Sequence, residues 1–89
     1  MIASDHAPHS ELEKSQEYDK CPNGILGLET MLAIVYTHLV KTNMASLSDF
    51  VKWFVDNPNK VFDLPERKIM PGYKADITIL DLENKHCYK

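Results

Sequence analysis

Asp5, His6 and His9 follow directly on the apolar run Met1-Ile2-Ala3, with Pro8 between the two histidines. A carboxylate can bind a divalent metal and, from the same position, take a proton from an attacking water. Imidazoles can donate to an anion or fasten a loop. Such chemistry needs a rigid support, and an apolar strand ending in an ionisable residue provides one, as at the carboxyl ends of the strands in a (β/α) barrel. Ile2 to Ser4 therefore reads as the end of a buried strand, with Asp5 as its reactive group. Pro8 lacks an amide hydrogen and biases Ala7 toward extended backbone, so the chain should leave the strand there as a loop. His6-x-x-His9 alone is a poor metal site, because two loop histidines supply at most half a tetrahedral shell. His6 reads rather as a structural hydrogen-bonding residue.

The elements that would position these groups follow in order. Ser10 to Lys20 is polar, carries both charges and has no apolar period, which predicts an exposed loop with room for a helical turn; a solvated connection and a wall over a site fit it equally. Pro22 to Gly27 sets Gly24 and Gly27 around Ile25-Leu26, the pattern of a turn into a helix or of backbone offered to a small molecule. Leu28, Met31, Leu32, Val35 and Leu39 recur at helical spacing and predict an amphipathic helix to about Lys41, with Glu29 in its first turn suiting the helix dipole. Ser46-Leu47-Ser48-Asp49 is a capping signal for a second helix, Leu47 to Val55, burying Leu47, Phe50, Val51 and Phe54. Asn57-Pro58 reads as the N-cap and first residue of a third, short helix. Leu64 to Tyr73 holds Pro65, Pro71 and Gly72 and should be turn and extended chain. Ala75 to Leu82 alternates as a strand, and His86 falls in a polar tail.

Eighty-nine residues allow one small domain. The net charge of −3 and pI near 5.7 offer no basic patch, which argues against nucleic acid and anionic membrane as partners. No apolar run approaches the roughly 18 residues of a membrane span, and the start has no signal-like pattern, so the chain reads as soluble and cytoplasmic. Cys21 and Cys87, far apart and without a Cys-x-x-Cys pair, read as unbridged thiols.

Four segments carry a family resemblance. Asp5-His6-Ala7-Pro8-His9 resembles the dihydroorotase signature that follows the eighth barrel strand. Pro22-Asn23-Gly24-Ile25-Leu26-Gly27-Leu28-Glu29-Thr30 is similar to that family's second C-terminal signature, Asn57 to Phe62 to its Asn-Pro-Ala-Lys-Ile-Phe segment, and Pro71 to Ile79 to its Gly-x-x-Ala-Asp-Ile/Leu strand. They occur in the family's order and cover nearly all of the chain.

The resemblance implies an α/β fold: the last β/α unit of a metal-dependent hydrolase TIM barrel over residues 1–64, and part of a small flanking β-domain over residues 65–89. A whole barrel takes roughly 250 residues, so the expectation is a C-terminal piece, incomplete as an isolated chain. It implies a zinc enzyme with a binuclear centre, interconverting dihydroorotate and carbamoyl-aspartate in pyrimidine synthesis. Asp5 is then the metal ligand and general acid/base, His9 contacts the substrate carboxylate, and the backbone of Asn23 and Gly24 faces the substrate ring. The family's other ligands, a His-x-His pair, a carboxylated lysine and two further histidines, have no counterpart here. The isolated chain is therefore expected to be inactive, its partners being the small-molecule substrate and the remainder of the barrel, with a homo-oligomer left open. Two alternatives stand beside this reading. One is a related cyclic amidohydrolase, an allantoinase or dihydropyrimidinase, although those relatives usually lack a histidine at the position of His9. The other is a non-catalytic homologue acting as an interaction piece.

Overall fold

A computed structural model describes residues 1–87. Its regular structure is helical: α1 (Glu11–Lys14), α2 (Met31–Val35) continuing in π geometry over Tyr36–Val40, α3 (Leu47–Val51) continuing in π geometry over Lys52–Asp56, and α4 (Asn57–Val61). Two of the helices start on a side-chain capping box. Ser46 Oγ accepts from the Asp49 N–H at 3.1 Å while the Ser46 N–H donates to Asp49 Oδ2 at 3.1 Å, closing the expected capping box. Ser10 and Glu13 close a second box at the head of α1, giving the polar loop its helical turn.

The long amphipathic stripes form where they are expected, but they bury little. Phe50 is the one buried hydrophobic residue among the described residues, at 3% exposure. The Tyr36 ring meets it edge-on at 6.3 Å and the Phe54 ring lies tilted against it at 4.8 Å. Leu47 and Val51, expected inside, remain 47% and 45% exposed. Val51 lines an open groove with Leu28 and Leu32 of the preceding segment and with Ile69, Ile77 and Leu80. The Cα radius of gyration is 16.8 Å, against about 12 Å for a compact domain of this length.

Asn57 departs from the expected N-cap. It has helical angles, φ −69° and ψ −43°, and the chain runs helically from Leu47 to Val61 without a break. The π turn explains how Pro58 is accommodated. The Asn57 N–H bonds back to the Lys52 carbonyl, five residues earlier. The next bond in that register would need an N–H on Pro58, which has none. The Trp53 carbonyl left over by this accepts instead from the Ile2 N–H, at 3.4 Å, and this bond fastens the N-terminal segment to the helix.

Ile2 to Ser4 and Ala75 to Leu82, expected as strands, form no ladder; among the described residues the only β-pairing is an isolated bridge between His6 and Ile25. Strand geometry is held by a paired neighbour, and neither segment has one. Residues 65–76 are organised instead by charge. Asp76 accepts from Arg67 Nε at 3.0 Å and lies 3.2 Å from Lys74 Nζ, and Glu66 pairs with Lys68 at 2.9 Å. Residues 88 and 89, the end of the segment assigned to a β-domain, lie outside the described residues.

Candidate functional site

The sequence motifs at residues 5–9 and 22–28, some twenty positions apart, lie against each other along their whole length. At one end a Cβ on Gly27 would meet Ser4, 3.1 Å from its carbonyl oxygen, so a side chain there would press the two backbones apart by a few tenths of an ångström. In the middle the Ala7 N–H donates to the Ile25 carbonyl at 3.0 Å, and Gly24, at φ +108°, packs on Ala7 where a Cβ would overlap the Ala7 methyl. At the other end His9 Nε2 is 3.0 Å from the Asn23 carbonyl oxygen. A carbonyl only accepts, so His9 carries its hydrogen on Nε2.

His6 takes the structural role expected of it. Its Nδ1 accepts the N–H groups of Gly27 and Leu28, at 3.1 and 3.2 Å, and these amides stand just ahead of α2 where a helix start leaves donors without backbone partners. Its other ring nitrogen then holds the hydrogen. The imidazole thus links the residue beside Asp5 to the start of the helix.

Asp5 itself is exposed, and its backbone lies in the left-handed region at φ 46°. Few non-glycine residues adopt that conformation, and aspartate is among those that tolerate it best. No cluster of three or more His, Cys, Asp or Glu side chains that could hold a metal occurs among the described residues. Asp5 can supply one ligand, and a tetrahedral zinc shell needs four donors, so the residues described here do not by themselves make a zinc site.

One residue that sequence reasoning passed over belongs to this assembly. Lys14 Nζ donates to the carbonyls of Pro22, at 2.8 Å, and Gly24, at 2.7 Å. The signal that could have found it is the Ser10-x-x-Glu13 capping pattern, which starts the helical turn ending in Lys14. The capping bond from Ser10 also holds the Glu13 carboxyl below the ordinary carboxylate range. Cys21, half-buried, points its thiol at the Lys14 carbonyl at 3.6 Å, a passive wall of the same loop.

Relatives of the chain carry one name. It is 46% identical over 83 residues to a dihydroorotase of Halalkalibacterium halodurans, covering 93% of this chain and 19% of that protein. It is 46% identical to the dihydroorotase of a Geobacillus species and 44% identical to that of Bacillus subtilis, each over 85 residues, covering 96% of this chain and 20% of the relative. No family model matches, and no solved structure matches. The similarity places the chain among amidohydrolase-type sequences. More narrowly, it is related to the dihydroorotases and corresponds to a C-terminal portion spanning about one fifth of their length.

Proposed function

We propose that this chain is the C-terminal part of a zinc-dependent dihydroorotase, a cytoplasmic enzyme of pyrimidine synthesis that interconverts dihydroorotate and N-carbamoyl-aspartate. In this reading residues 1–64 are the last β/α unit of a TIM barrel and residues 65–89 return to a flanking β-domain. The barrel's remainder covers the open stripes of α2 and α3 and provides the neighbours that Ile2 to Ser4 and Ala75 to Leu82 lack. The single observation that supports the proposal most directly is the fastening of residues 5–9 to residues 22–28, which sets His9 against Asn23 and Gly24 against Ala7, two positions from Asp5.

Zinc, bound with Asp5 as one of its ligands and the others from elsewhere in the protein, would polarise the reacting carbonyl and make water acidic enough to attack at neutral pH. The chain's own residues do the rest. Asp5 takes a proton from the attacking water and passes it to the ring nitrogen as the ring opens, and runs the same transfer backward in cyclisation. His9 offers its Nε2 hydrogen to the substrate carboxylate, which competes for it with the Asn23 carbonyl. The backbone at Asn23 and Gly24 lies along the ring, in a loop whose close packing on Ala7 the absent Gly24 side chain permits.

No helix among the described residues is long and apolar enough to cross a membrane. The test is zinc content together with carbamoyl-aspartate cyclisation, on these 89 residues and on the longest reading frame that contains them. Turnover and about two zinc ions in the long form, with neither in the short one, supports the proposal. Turnover of hydantoin or allantoin instead would move the assignment to another cyclic amidohydrolase.

A further inference from the structure

Three consecutive carbonyls in the segment 22–24 are held by two side chains on opposite sides. Pro22 and Gly24 give theirs to Lys14 Nζ, and Asn23 gives its own to His9 Nε2. Peptide planarity fixes what this does to the donors. Each N–H is trans to the carbonyl in its peptide plane, so with the Pro22 and Gly24 carbonyls turned to Lys14, the amides of Asn23 and Ile25 are turned away from it. A lysine suits this position because its ammonium carries several donors on one flexible stem. Lys14 is in turn placed by the Ser10–Glu13 capping box and by its own N–H, which donates to the Ser10 carbonyl at 3.0 Å.

We infer that Lys14 is a positioning residue: by holding the Pro22 and Gly24 carbonyls it sets the orientation of the Asn23–Gly24 backbone that meets the substrate, without touching the substrate itself. The inference rests on the dihydroorotase reading for what that backbone binds, and on the geometry alone for the clamp. Ser10 to Lys20 then acts as a brace for the site's wall, one of the two roles its composition allows.

The test uses Lys14→Met and Lys14→Arg in the longest reading frame that contains this sequence, with two readouts. Amide hydrogen exchange over residues 22–28 reads the clamp, and steady-state kinetics with dihydroorotate read the role. Lys14→Met should exchange faster there and raise KM about tenfold with kcat little changed, the size expected for losing a charge-assisted contact. Lys14→Arg, whose fork can reach both carbonyls, should recover most of both. Unchanged exchange in Lys14→Met overturns the clamp. Faster exchange with KM unchanged, or with only the active fraction reduced, overturns the positioning role. A wild-type protein that shows no dihydroorotate turnover overturns the dihydroorotase reading and the role with it, while the exchange result still decides the clamp.

Discussion

The imidazole of His9 donates its Nε2 hydrogen to the carbonyl oxygen of Asn23 at 3.0 Å, joining two residues 14 positions apart that lie in separate motifs resembling those of dihydroorotases. The bond means that neither is placed by its own loop alone. Each orients the other, so damage to one should be felt at both.

His9→Ala is therefore expected to cost more than one contact. It removes the donor to the substrate carboxylate and releases the Asn23 carbonyl, so KM for dihydroorotate in the full enzyme should rise by about tenfold or more. Steady-state kinetics of His9→Ala beside Asn23→Ala check this. The Asn23 variant, which keeps its backbone carbonyl, should be the milder of the two.

Gly24→Ala should destabilise the protein by about 1–3 kcal/mol, since it combines a positive φ with overlap on the Ala7 methyl. Urea unfolding measures the loss. Adding Ala7→Gly relieves the overlap and leaves the backbone strain, so the double variant should recover part of the stability and not all of it.

Phe50→Ala should cost about 3–5 kcal/mol, because this ring is the centre of the described core and Tyr36 and Phe54 both pack on it. Phe50→Leu should cost clearly less. Equal losses in the two variants, read from denaturant midpoints, would show that the core lies elsewhere.

The capping box of α3 gives a dependence on pH. Hydrogen bonds from Ser46 hold the Asp49 carboxyl below its ordinary value. A lowered folded-state pKa means that the carboxylate stabilises the fold above its ordinary range, and that this contribution is lost as pH falls through the lowered value. Ser46→Ala should lower the unfolding midpoint at pH 7 and flatten its fall in acid. A midpoint that falls in acid as steeply as the wild type's would argue against the box.

The reach of the sequence differs from residue to residue, for physical reasons. Asp5, His9, Asn23 and Gly24 are marked in the sequence by short contiguous motifs that resemble those of dihydroorotases, and the structure brings two of these motifs together, His9 on Asn23 and Gly24 on Ala7. The Ser46–Asp49 box was legible as a short contiguous pattern whose residue types are set by backbone geometry. Lys14 was not, since a loop without apolar period hides which of its charges reaches back across the chain. Asn57-Pro58 was misread because proline near a helix start and proline after a π turn leave the same trace in sequence; only the Asn57 to Lys52 bond separates them. The segments at Ile2 and Ala75 carry strand patterns, yet a strand is a property of two chains side by side, and one partner's sequence cannot supply the other.

The most direct test of the whole account is the turnover of carbamoyl-aspartate by the longest reading frame carrying this sequence, with and without Asp5→Asn. Asparagine tolerates the left-handed backbone at φ 46° and keeps the side chain's size, so the exchange removes the charge and the proton acceptor while leaving the turn in place. The account predicts zinc-dependent cyclisation in the wild type and a fall in kcat of about 10²–10⁴ in Asp5→Asn. Cyclisation by Asp5→Asn at the wild-type rate would contradict it.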